Sequence, residues 1–123
     1  MTKSSKSELG KRGEELALEF LTDKGYELVK KNYRYGHGEI DLIVKDLSKN
    51  VLVFVEVKAR YNLELGDPAY AINKKKISQL KKIAELYLYE NQIKEIDCRF
   101  DVITILFDEP ENPKIEHYEN AFL

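Results

Sequence analysis

The sequence predicts an α/β protein, with helices packed on one mixed sheet in the order helix, three strands, helix, strand. Three observations carry this. Apolar residues recur at three- and four-residue spacing in two segments, 5–24 and 72–90. Runs rich in β-branched and aromatic residues, bounded by Gly, Asn and Pro, lie between and after them. The last strand follows the third only through a helix, an order that implies a right-handed crossover and a parallel pair.

The first helix begins at Ser4 or Ser5 and buries Leu9, Gly13, Leu16, Ala17, Phe20 and Leu21. Ser5 or Ser7 is suited to cap it, and Gly25 to end it. Tyr26–Tyr35 makes a first strand, closed by the turn Gly36-His37-Gly38. A hairpin follows, with arms at 39–46 and 51–60 and its turn at Leu47-Ser48-Lys49-Asn50. Val51 to Val57 is apolar on both faces apart from Glu56, the pattern of a central strand covered on both sides. After a loop over 61–68, the second helix presents Ile72, Ile77, Leu80, Ile83, Ala84, Tyr87 and Leu88 to the core. Arg99–Phe107 is the fourth strand, and a short edge strand is expected at Lys114–Tyr118.

With 123 residues, 43% of them hydrophobic and 34% charged, residues 1–123 read as a single domain. Its core spans about 5–107, followed by an acidic tail over 108–123. One cysteine, Cys98, excludes a disulfide framework, and two histidines are too few for a structural zinc site. No apolar run suits a signal peptide or a membrane span, so a soluble cytoplasmic protein is expected. The net charge of −2 argues against non-specific coating of nucleic acid, but it is unevenly spread. Residues 108–120 carry −4, leaving +2 for residues 1–107. Three basic clusters lie there: Lys3/Lys6/Lys11/Arg12, Lys24/Lys30/Lys31/Arg34 and Lys74/Lys75/Lys76/Lys81/Lys82.

The informative residues are on the hairpin. If Asp46 and Val51 close the turn, Asp41 stands opposite Glu56 and Glu39 opposite Lys58, and all four share one side of the pleat. Glu39 and Lys58 would make a salt bridge. Two carboxylates facing each other are destabilising unless a cation, a shared proton or an open mouth to water relieves them. A hard divalent ion, Mg²⁺ or Mn²⁺, held by Asp41, Glu56 and the carbonyl of Val57 answers that requirement, with water completing its shell. Lys58 beside it is suited to position an attacking water or to offset charge building on a phosphate. The alternative is a salt-bridged hairpin in which Lys58 satisfies both acids, at a real desolvation cost on a central strand. Arg60 and Arg99, at strand ends near the site mouth, suit phosphate contact or surface pairing. Asp101 is expected to be structural, His37 a turn residue and Tyr87 core.

Asp41 followed by Glu56-Val57-Lys58 resembles the PD-(D/E)XK nuclease signature, with Ile40 in place of its proline. Four blocks together are closer still to the small bacterial YraN-like family, which is related to archaeal Holliday-junction resolvases. They are Gly10-x-x-Gly13-Glu14-x-x-Ala17, Gly38-Glu39-Ile40-Asp41, Phe54-Val55-Glu56-Val57-Lys58-x-Arg60 and Arg99-Phe100-Asp101-Val102. The resemblance spans about residues 10–107. It implies a restriction-endonuclease-like three-layer α/β/α core, with Asp41 and Glu56 as metal ligands and Lys58 as the catalytic lysine. It also implies that Glu14 joins the site from the first helix, with Glu15 as the fallback, and that Lys76 adds a cation from the second.

The expected function is metal-dependent hydrolysis of phosphodiesters in structured or single-stranded nucleic acid, with branched DNA the favoured partner. A chain this short would read shape rather than sequence, as a homodimer or with a partner. Two other classes remain open at this point: a nucleic-acid-binding module without turnover, and an adaptor docking through its acidic C-terminal segment.

Overall fold

The computed structural model describes residues 7–64, 66 and 72–122. The expected helix start at Ser4 or Ser5, its Ser5 cap, the basic residues Lys3 and Lys6, and loop residues 65, 67 and 68 lie outside them. The elements are α1 (Glu8–Asp23), β1 (Tyr26–Tyr35), β2 (Gly38–Asp46), β3 (Val51–Arg60), α2 (Lys74–Glu90), β4 (Asp97–Leu106) and β5 (Lys114–Tyr118). The strands form one mixed sheet in the order β1-β2-β3-β4-β5, parallel only between β3 and β4. The two helices cover opposite faces, giving the expected α/β class with β3 in the middle.

Local chemistry sets the element ends. Ser7 caps α1 by accepting from the Gly10 N–H at 3.1 Å. Gly25, at φ +93°, takes the left-handed position that ends the helix. α2 begins at Lys74, two residues later than the periodicity suggests, because the Asn73 side chain accepts from the Lys76 N–H and acts as cap. β4 starts at Asp97 rather than Arg99, since the parallel ladder continues to Val51↔Asp97 and uses the full length of β3. The hairpin turn is held by Asp46, which accepts from the N–H and hydroxyl of Ser48, and Asn50 supplies the left-handed residue.

Ala17 and Leu21 of α1 pack with Leu42, Val44, Val53, Val55, Ile103 and Ile105 on one face of the sheet. Leu80, Ile83, Ala84 and Tyr87 of α2 pack with Ile40, Ile43, Leu52, Phe54 and Val102 on the other. Two glycines make these approaches close. A Cβ on Gly13 would sit 2.9 Å from the Ala59 Cβ, so a bare backbone lets α1 lie against the end of β3. A Cβ on Gly38 would meet the Ile83 side chain, 2.2 Å from its Cδ1.

These contacts differ in how they yield. Ile83 can move its terminal methyl, whereas the Ala59 Cβ moves only with its strand. Gly13→Ala should therefore destabilise the fold by about 1–3 kcal/mol through overpacking, and Gly38→Ala by less, as read from urea denaturation midpoints.

Candidate functional site

The hairpin ladder has the expected register, running from Asp46↔Val51 to Leu42↔Val55, and its last rung falls one step short of Asp41 and Glu56. There β2 breaks its alternation. Ile40 and Ile43 pack in the same core beneath α2, although residues three apart on a regular strand face opposite ways. Opposite this break on β1, Asn32 adopts φ +50° and drops out of the β1–β2 register. The expectation that Glu39, Asp41, Glu56 and Lys58 share one side of the pleat is thereby corrected. Glu39 and Asp41 turn toward Glu14 of α1, with one carboxylate oxygen from each of the three within 4.8 Å of the others.

Asp41 still meets the acid of β3, because its carboxylate occupies the gap where the strands part. Its Oδ2 accepts from the Val57 N–H at 2.8 Å, replacing the bond β2 would otherwise have made. Glu56 lies alongside, and both carboxylates are buried. Lys58 and Lys76 approach the same Glu56 oxygen, Oε2, at 3.4 and 3.7 Å. The other oxygen, Oε1, is buried without a hydrogen-bond partner among the described residues. Burial first, and then the neighbouring Asp41 charge, push the Glu56 carboxyl up to about 7 against the pull of the two lysines.

Glu14 is held by Asn32, whose side-chain amide donates to its Oε1 at 2.8 Å, and Glu15 is exposed on the helix. Of the two glutamates, Glu14 is therefore the one at the site. Glu39 ion-pairs with Arg34 at 2.9 Å. Sequence reasoning had not counted Glu39 as a ligand or Asn32 as its neighbour. The period-two spacing of Glu39 from Asp41 was the available signal for the first. The second depends on a kink in β1 that no local pattern announces.

These residues suit a divalent cation. Four carboxylates converge against two lysines, and an orphaned buried oxygen on Glu56 costs stability unless something positive meets it. In a strand, a residue's carbonyl leaves on the same edge as its N–H, so the Val57 carbonyl faces the gap that Asp41 enters. The carboxylate oxygens that the structure brings within 4.8 Å of one another are those of Glu14, Glu39 and Asp41, with Glu56 next to Asp41, and all are the oxygen donors that Mg²⁺ or Mn²⁺ prefers.

The expected cations divide. Lys76 reaches the site. Arg60 ends β3, with its Nη1 on the Ala59 carbonyl at 3.1 Å and its Nε buried without a partner among the described residues. Arg99 has another occupation. Its guanidinium binds Asp101 at 3.0 Å, Asp46 at 3.4 Å and the Tyr26 hydroxyl, and Asp101 also holds His117 at 2.7 Å. Burial acts upward on Asp101, but hydrogen bonds from His117, Arg99 and the Asn120 N–H hold its carboxyl below the usual range. Asp101 is structural as expected, and Arg99 is tied into the same network rather than presented to a phosphate. Tyr87 is core, and His37 is exposed in the β1–β2 turn.

Fold and site together define a mixed-sheet α/β protein with a buried acid–lysine cluster where its central antiparallel pair opens. The chain belongs to the uncharacterised protein family UPF0102, whose model matches residues 13–105. This is the YraN-like family expected from the motif blocks. It is 47% identical to a UPF0102 protein of Thermodesulfovibrio yellowstonii over 115 residues, covering 94% of this chain and 96% of the relative. It is also 43% identical to one from Chlorobium limicola, covering 93% and 91%. No helix among the described residues is long and apolar enough to cross a membrane.

Two measurements test this geometry. A carboxyl raised from 4.5 to about 7 on folding binds more protons in the native state, so stability falls as pH rises through that interval. Without metal, wild type should lose on the order of 3 kcal/mol relative to Glu56→Gln between pH 4.5 and 8, read as the difference in urea midpoints. Asn32→Ala should cost about 1–2 kcal/mol, because alanine resists positive φ and the Glu14 hydrogen bond is lost. Asn32→Gly removes only the bond and should cost less in the same assay.

Proposed function

We propose that this protein is a metal-dependent nuclease of the PD-(D/E)XK type, related to the Holliday-junction resolvases. Its substrate is structured or single-stranded nucleic acid. One observation carries the reading: two buried carboxylates, Asp41 and Glu56, are set together, with Lys58 and Lys76 both drawn to a single oxygen of Glu56, Oε2. Such a pair requires a shared proton or a bridging cation, and the lysine beside it fits the second.

Asp41, Glu56, Glu14 and the Val57 carbonyl would hold Mg²⁺ or Mn²⁺. Such an ion supplies positive charge against the phosphate oxygens and makes water a better nucleophile. Lys58 acts as a hydrogen-bond donor, with its ammonium 3.4 Å from Glu56 Oε2. From there it orients the attacking water or stabilises a non-bridging phosphate oxygen. Lys76 places a second ammonium on the same side and reduces repulsion between the buried acids and an incoming phosphodiester. Asn32 and the Val57 N–H fix Glu14 and Asp41, so little reorganisation is needed when substrate arrives. Lys74, Lys75, Lys81 and Lys82 extend positive charge along α2 and attract the strand. The acidic segment, by contrast, is partly built into the sheet as β5, with Asp108 paired to Lys114 at 3.3 Å.

Asp41→Asn, Glu56→Gln and Lys58→Ala should each leave the fold intact and reduce Mg²⁺-dependent cleavage of branched or flapped DNA by at least about a hundredfold. Equal cleavage by wild type and all three variants in matched preparations would identify a contaminant and end this reading. A Mn²⁺-soaked crystal should show anomalous signal between Asp41 and Glu56.

A further inference from the structure

The row of side chains that contains Glu56 continues across the sheet into a cavity. Val102 of β4 is the register partner of Glu56, and Tyr118 of β5 is the partner of Val102. Neighbouring strands are about 4.8 Å apart, so the row passes from carboxylate to isopropyl group to phenol in roughly 10 Å. Over it, beneath the start of α2, is a space of about 520 Å³. Val102 forms its floor, Tyr118 and Phe122 its walls, and Ile72 and Ile77 its roof, with Ala121 at the margin. Ile77 follows Lys76, whose ammonium reaches Glu56 at 3.7 Å. Two independent connections, the strand register and the helix, thus set this cavity directly against the acid–lysine cluster.

We propose that the cavity receives an unpaired nucleobase of the strand whose phosphate lies at Glu56, Lys58 and Lys76. The inference rests on the nuclease reading of that cluster and adds the class of substrate. Three features argue for a base over a purely apolar guest. The walls are aromatic, and Phe122 continues a stack through Phe100 to Phe54 with ring centroids 5.6 and 5.4 Å apart. Bases of any identity stack on such rings. Tyr118, whose hydroxyl donates to Glu116 at 3.3 Å, and Glu119, whose carboxylate approaches Arg99 at 3.6 Å, are both in the lining, so the wall is not wholly apolar. Lys58 and Lys76 stand beside Glu56 where the cavity adjoins it, and their ammonium groups fit a flat apolar group tethered to a phosphate. A base inside a duplex has both faces covered and must leave its stack to enter, so the favoured substrate carries unpaired nucleotides.

Ala121 is exposed at the margin, so Ala121→Trp fills the cavity without disturbing the core. Tyr118→Ala removes a wall from an edge strand. The probes are a labelled single-stranded oligothymidylate, an abasic strand of equal length and charge, and a duplex. Binding is followed by fluorescence anisotropy with Ca²⁺ in place of Mg²⁺, and each variant is checked for an unchanged melting temperature. Wild type should bind oligothymidylate about tenfold or more tightly than the abasic strand. Both variants should lose that preference and keep their affinity for duplex, with Tyr118→Ala carrying the test if Ala121→Trp melts early. Equal wild-type affinity for normal and abasic strands, or a preference that survives both substitutions, overturns the base pocket. Cleavage of branched DNA in Mg²⁺ is scored separately. A base preference without cleavage sinks the nuclease reading and leaves the pocket, whereas cleavage without a base preference does the reverse.

Discussion

Everything at the candidate site depends on one hydrogen bond, from the Val57 N–H to the Asp41 carboxylate. Where β2 parts from β3, a side chain takes over the role of a strand, and the central N–H that would have been orphaned is satisfied. The exchange keeps a charged group in the middle of a sheet at low cost, because the carboxylate accepts a short, charge-assisted bond. It also opens the gap into which the Val57 carbonyl points. On β1, Asn32 at φ +50° lies across from the break and its side-chain amide holds Glu14 toward the acids. Gly13 completes the arrangement by letting α1 come close enough for Glu14 to reach the acids.

Charge is distributed to opposite faces of the sheet, on adjacent rungs of the β3–β4 ladder, with opposite outcomes. Around Asp101, every buried ionic group is paired, and Arg99, His117 and the Asn120 N–H leave no acceptor idle. Such a network satisfies the buried polar groups that tie β5 and the C-terminal turn to the start of β4. Around Glu56 the pairing is deliberately incomplete in effect: two cations crowd one oxygen and none reaches the other. The first arrangement holds the sheet together. The second leaves one buried oxygen of Glu56 without a hydrogen bond among the described residues, and functional sites commonly retain this kind of local cost.

The same economy of placement links the acid cluster to the cavity beside it. Parallel pairing of β3 with β4 puts Val102 next to Glu56, and antiparallel pairing of β4 with β5 puts Tyr118 next to Val102. The acidic segment after Phe107 therefore contributes a wall to the interior and is more than a charged extension. Its acidity is partly absorbed within the fold, as Glu119 approaches Arg99 at 3.6 Å.

Local patterns were enough for the element order, the hairpin register, the central place of β3 and the pairing of Asp41 with Glu56-x-Lys58. Each follows from period, turn chemistry or the cost of like charges on neighbouring strands, which are properties of short segments. Glu14, with Glu15 as the fallback, came instead from the family resemblance of the block around Gly13. What the chain alone could not disclose depends on three-dimensional closure. The break in alternation after Ile40, the turn of Glu39 toward Glu14, the grip of Asn32 and the capture of Arg99 by Asp101 all arise from contacts across many residues. Only the folded sheet decides them, because a strand's side chains alternate by rule until tertiary packing and a competing hydrogen bond make breaking the rule cheaper than keeping it.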